Sequence, residues 1–109
     1  MIDLLRELSE ATGIPGDEGA VRDLILTHVR DHVDDITIDP MGNLLVVRRG
    51  TGQVNLRVMA AAHMDEVGMI VMGYDTDGTL RFSAVGGLDH RILPGTRIRV
   101  PVVLAAAHG

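Results

Sequence analysis

Apolar residues at Ile2, Leu4, Leu5 and Leu8 recur at helical spacing and stop at Thr12-Gly13-Ile14-Pro15-Gly16, where two glycines and a proline interrupt them. This predicts a short helix and a tight loop. Asp17 is placed to cap a second helix, with Glu18 in its first turn and Val21, Leu24, Ile25, Val29 and Val33 as its apolar stripe, running to about His32. Ile36-Thr37-Ile38, Asp39-Pro40-Met41-Gly42-Asn43 and Leu44-Leu45-Val46-Val47 then read as strand, turn and strand, because Gly42 and Asn43 suit left-handed backbone.

After Gly50-Thr51-Gly52 the pattern predicts a third strand from Asn55 to Ala62. Its end, Val58-Met59-Ala60-Ala61-Ala62, does not alternate, which suits a central strand buried on both faces. Beyond His63 the character changes to short β segments broken by turns: Met69 to Met72, Asp75-Thr76-Asp77-Gly78, Leu80 to Val85, Gly86-Gly87, and Arg97 to Val103. That is an antiparallel, barrel-like pattern. A domain change near residue 70 follows, with 1–69 in an α/β domain and 70–109 opening a small β domain. The chain reaches Leu104 to Gly109 in mid-pattern, so the second domain is expected to be incomplete.

Composition narrows the class. Of 109 residues 46% are apolar and 2% aromatic, which is globular, and the length suits one modest core. Without cysteine, only His, Asp and Glu can bind a metal, and a reducing, cytoplasmic setting is expected. The opening MIDLLRELSE places acids within its apolar pattern, so it reads as an amphipathic helix and not a signal peptide. No apolar run approaches the roughly 20 residues that span a bilayer, so no membrane partner is expected. The net charge is −5 and all ten basic residues are arginine without a basic stripe, which argues against nucleic acid.

The chemistry concentrates at Ala62-His63-Met64-Asp65-Glu66. His63 ends the expected central strand, and ligands of α/β sheets bind beyond the carboxyl ends of strands. Asp65, two residues on, falls on the same side of an extended segment and can accept the free N–H of a ligating imidazole. Taken by spacing alone, a histidine satisfied at a strand end beside a turn aspartate stands equally well.

Four segments widen the context: Gly13-Ile14-Pro15-Gly16-Asp17-Glu18, Asp39-Pro40-Met41-Gly42-Asn43, Ala61-Ala62-His63-Met64-Asp65-Glu66-Val67-Gly68, and Val85-Gly86-Gly87-Leu88-Asp89. In this order and spacing the chain resembles the tetrahedral (TET) aminopeptidases, glutamyl and deblocking enzymes among the MH-clan dinuclear metallopeptidases. The resemblance implies an α/β catalytic domain interrupted by an inserted β domain. It implies that His63 ligates one of two divalent metals, zinc or cobalt, and that Asp65 orients it and counts as catalytic. It also implies removal of N-terminal residues from peptides with a free amine, and assembly into homo-dodecamers. The family's bridging aspartate, glutamate pair, further acidic ligand and second histidine follow the inserted domain and match nothing here. The chain is therefore expected to be a truncated N-terminal part, inactive alone, since a catalytic zinc needs about three protein ligands.

Other features are set aside. His28 and His32 share the spacing of a helical metal pair but fall at the edge of and within the apolar stripe, so a rim and a packed histidine are expected. A site assembled from His63, Asp65, His90 and His108 would be a coincidence of position. Gly86-Gly87 reads as a turn or hinge, and Met59, Met64, Met69 and Met72 as core fillers. Two further hypotheses stand beside the aminopeptidase: a deacylase or carboxypeptidase of the same clan, and a non-enzymatic interaction module with open strand edges.

Overall fold

The computed structural model describes residues 1–53 and 56–101, and the elements below are drawn from these. Helix α1 spans Ile2–Glu10 and α2 spans Gly19–Val29, extended by a single 3-10 turn over Arg30–His32. Both helices stand where the 3.6-residue periodicity places them. The cap of α2 differs from expectation: Glu18, not Asp17, holds the N-cap position, and its Oε1 accepts from the Gly16 amide at 2.7 Å. Asp17 instead gives its backbone amide to the Ile14 carbonyl at 2.9 Å, which turns the loop one residue further before the helix starts. Of the α2 stripe, Val21 is buried and Leu24, Ile25, Val29 and Val33 are half-buried. His32 is exposed and so is not the packed histidine expected, because the 3-10 turn rotates it off the stripe. His28 bridges the helices, its Nε2 lying 3.0 Å from Glu7 Oε2.

Strands β1 (Asp35–Ile38) and β2 (Leu44–Val47) pair antiparallel, with Asp35 opposite Val47 and Ile38 opposite Leu44. Their turn is built by Asp39, whose Oδ1 accepts from the Met41 and Asn43 amides, both at 2.9 Å, while Gly42 takes φ +85°. Strands β3 (Gly68–Tyr74) and β4 (Leu80–Val85) form a second antiparallel hairpin with a register shift between Val71 and Gly73. Its turn repeats the device, with Asp77 Oδ1 accepting from the Thr79 amide at 2.9 Å and Gly78 at φ +85°. A 3-10 turn at His90–Ile92, capped by Asp89, follows. β3 crosses the boundary expected at residues 69 and 70, its first two residues lying before it.

Two expected strands differ. Leu56 to Ala62 form no strand; Asn55, where the expected strand starts, lies outside the described residues. No ladder partner lies beside the segment among the described residues, and a strand is defined by its partners. Arg97 to Pro101 are likewise not in a strand, and Val102 and Val103 lie outside the described residues.

The interior is thin. Val21, 6% exposed, is the buried hydrophobic side chain among the described residues. The Cα radius of gyration is 18.7 Å, whereas a compact chain of this length has about 13 Å. No helix among the described residues is long and apolar enough to cross a membrane.

Candidate metal-ligating site

His63 stands at the end of the apolar run and just before β3, in a segment held from one side by the loop that joins α1 to α2. The Glu66 amide donates to the Gly13 carbonyl at 2.7 Å. Gly13 is buried, and a Cβ there would lie 2.6 Å from Val21 Cγ2 and 3.2 Å from the Met64 carbonyl oxygen. A Cβ on Gly68 would lie 2.3 Å from Ile14 Cγ2. Missing side chains at Gly13 and Gly68 thus let two backbones approach, and this contact fixes where residues 64–68 run. On the far side, Gly86 at φ +81° closes on Val67, whose Cγ1 would be 2.9 Å from an added Cβ. Sequence reasoning took Gly13 as a helix breaker, Gly68 as part of the histidine motif and Gly86 as a turn or hinge; their packing role had only one signal, position on either side of His63.

Within this clamp His63 and Asp65 come together. His63 Nδ1 lies 2.9 Å from the Asp65 carbonyl oxygen and 3.1 Å from Asp65 Oδ1. Both neighbours are acceptors, so Nδ1 carries the proton and donates to both, which leaves the lone pair on Nε2. The imidazole is 84% exposed and Asp65 38%. The arrangement is that of an oriented imidazole with one nitrogen free for an electrophile, the form in which histidine binds a divalent metal.

The donor set accommodates such an ion from one side only. Among the described residues no group of three or more His, Asp or Glu side chains lies close enough to hold a metal together. His90 sits exposed in the 3-10 turn of His90–Ile92, and His108 lies outside the described residues. Asp89, beside His90, is committed elsewhere: the Arg91 side chain, then its backbone amide, bond to the carboxylate and hold its pKa below the ordinary carboxylate range.

The sequence profile of M42 glutamyl aminopeptidases matches residues 42–104, and a second profile, AMPT, matches residues 1–24. The lysyl aminopeptidase of Pyrococcus furiosus is 35% identical over 89% of this chain, which spans 28% of that protein. Among solved structures, a Thermotoga maritima protein described as an endoglucanase is 45% identical, with a TM-score of 0.77 over 84% of this chain and 29% of its own. The Pyrococcus horikoshii TET1 peptidase, described as assembling into a tetrahedron or a large octahedral shell, is 37% identical. Its TM-score is 0.70 over 83% of this chain and 26% of its own. The chain thus spans less than a third of the length of each of these proteins.

Proposed function

This chain belongs to the M42 glutamyl aminopeptidase family, and from that premise we propose that it carries part of the active site of a metal-dependent aminopeptidase acting on peptides with a free N-terminus. In this reading His63 is a metal ligand through Nε2 and Asp65 is the carboxylate that orients it. The observation that carries it is the shared Nδ1 hydrogen bond to the Asp65 carbonyl and carboxylate, which leaves Nε2 as the open donor.

When bound, a pair of divalent metals, zinc or cobalt by the family resemblance, with manganese also suited to imidazole and carboxylate donors, would lower the pKa of water and polarise the first peptide carbonyl. The chain's own part is orientation. Asp65 fixes the tautomer and the orientation of His63, so that its other ring nitrogen faces away from the carboxylate. The Glu66–Gly13 bond and the Gly68–Ile14 contact hold the motif against the loop that joins α1 to α2. Residues 1–69 are read as the first portion of the catalytic domain and 70–109 as the opening of the inserted β domain. The cysteine-free composition favours a cytoplasmic setting, and the shells described for the TET1 peptidase favour a homo-oligomer, a dodecamer in this reading.

The name of the Thermotoga protein suggests glycoside chemistry instead. Glycosidases as a rule need two carboxyl groups flanking the scissile bond, whereas the pair here is an imidazole and the carboxylate bonded to it. The aminopeptidase reading is therefore kept.

The test is a zinc and a cobalt titration of the 109-residue chain followed by the imidazole resonances, with peptidase assays alongside. Weak binding that perturbs His63 first and vanishes in His63→Ala, without peptide hydrolysis, is the expected result. Tight stoichiometric binding that survives His63→Ala would sink the assignment.

A further inference from the structure

The Asp65–Glu66 peptide group is engaged at both of its ends. Its carbonyl oxygen lies 2.9 Å from His63 Nδ1, and its N–H donates to the Gly13 carbonyl at 2.7 Å. A trans peptide is planar, with C=O and N–H pointing opposite ways, so one rigid unit spans from the Gly13 carbonyl to the imidazole. Hydrogen bonds in such a chain polarise one another: an N–H bonded at one end makes the C=O at the other a better acceptor.

The Asp65 carboxylate is the looser of the two acceptors facing Nδ1. Its Oδ1 stands 3.1 Å away, and the side chain is 38% exposed, with staggered rotamers open to it on the solvent side. The carbonyl lacks that freedom. Its own peptide is bonded to Gly13, which is buried in the α1–α2 loop. The next two residues are pinned as well, Val67 by Gly86 and Gly68 by Ile14, where added Cβ atoms would lie 2.9 Å from Val67 Cγ1 and 2.3 Å from Ile14 Cγ2. The peptide cannot turn without breaking its bond to Gly13.

We propose that backbone, more than the carboxylate, sets the tautomer of His63: the Gly13 carbonyl is a positioning group that acts on Nδ1 through the Asp65–Glu66 peptide. The inference rests on the reading of His63 as a metal ligand and locates, within that reading, what holds the ring. Gly13 then belongs to the site, although it lies in the loop between the two helices and touches no metal-binding atom.

The imidazole nitrogen resonances of the 109-residue chain, recorded above the range in which imidazole is protonated, test this. They give the ratio of the Nδ1–H to the Nε2–H form, to be compared with a free peptide of residues 61–67. One hydrogen bond held in place should raise the ratio about fivefold in the chain. Asp65→Ala should retain most of that rise, whereas Glu66→Pro, which keeps the carboxylate but has no N–H to give to Gly13, should lose it. Loss of the rise in Asp65→Ala while the Glu66 amide stays protected from exchange overturns the proposal, and so does an unchanged ratio in Glu66→Pro.

The amides of the two hairpins report folding in each variant. If Glu66→Pro loosens them as well, Gly13→Ala decides: the ratio should fall together with protection of the Glu66 amide, and a ratio that outlasts that protection overturns the proposal. Metal binding is read apart, by zinc titration of the same samples. A raised ratio without His63-dependent zinc binding keeps the link to Gly13 and removes His63 as a ligand. Zinc binding at His63 in a chain whose ratio equals that of the peptide keeps the ligand and overturns the link.

Discussion

The two hairpins and the His63 segment are held by opposite means. Each hairpin closes on itself: five residues, Asp39 to Asn43 or Asp75 to Thr79, turn the chain with a left-handed glycine at the fourth position and an aspartate accepting backbone amides. The His63 segment has no such closure. It is fixed by one backbone bond from Glu66 to Gly13 and by glycine-mediated contact with the α1–α2 loop. A turn needs neighbours a few residues away, whereas the site needs a partner about fifty positions earlier. The difference shows why the scaffold can form locally while the His63 motif depends on packing.

The largest expected effect breaks the long-range side of this contrast. Gly13→Ala places a methyl 2.6 Å from Val21 Cγ2 and 3.2 Å from the Met64 carbonyl oxygen. Val21 is the buried hydrophobic side chain among the described residues, so overpacking there should cost about 1–3 kcal/mol. The Glu66 amide should lose protection from exchange and the His63 resonances should shift, while the amides of both hairpins stay as they were. If the hairpins loosen equally, the two regions are not independent.

Gly42→Ala acts on the local side. At φ +85° a β-carbon costs roughly 1–2 kcal/mol, and here it would also crowd Arg22 Nη1 at 3.2 Å. Faster exchange is expected across β1 and β2 only, with β3, β4 and Glu66 unchanged. Arg22→Met should do less. It removes the hydrogen bond that Nη1 donates to the Gly42 carbonyl at 3.2 Å, a loss of about 0.5–1.5 kcal/mol, but it also relieves a buried Nε that has no partner among the described residues. The expected sign is a small net loosening of the hairpin against α2, read as exchange at Gly42 and Asn43.

The same division decides what the sequence could disclose. Periodicity placed α1 and α2, and Asp39-Pro40-Met41-Gly42-Asn43 announced the first hairpin, because each is decided within a few residues. Asp17 and Glu18 are both plausible caps, and only the turn of the Ile14–Asp17 bond settles which one is used. The His63–Asp65 contact was legible for a local reason, two residues of spacing. The role of Gly13 and Gly68 was not, since nothing in a glycine's own neighbourhood says which distant backbone will press against it. The apolar run at 56–62 read as a strand by composition, but a strand also requires a partner that composition does not provide.

The smallest effect is also the cleanest separation of the two regions, because it turns on charge. The Asn43 side chain, then its backbone amide, with smaller help from the Met41 and Gly42 amides, hold the Asp39 pKa below the ordinary carboxylate range. The Thr79 hydroxyl and amide do the same for Asp77. A carboxyl that is more acidic folded than unfolded adds stability above its unfolded value, and this is lost as the pH falls through the lowered folded one. Both turns should therefore loosen on acidification below the ordinary carboxylate range, seen as movement of the Met41, Asn43 and Thr79 amide resonances toward unstructured positions. Asp39→Asn keeps an acceptor oxygen but no titrating charge, so the acid-dependent part should vanish at Met41 and Asn43 and persist at Thr79. The Glu66–Gly13 clamp joins two backbone groups, neither of which titrates, and should hold through the same range. An acid limb that survives unchanged at Asn43 in Asp39→Asn would mean that the turn is controlled from outside itself, and the hairpin would then belong with the long-range region.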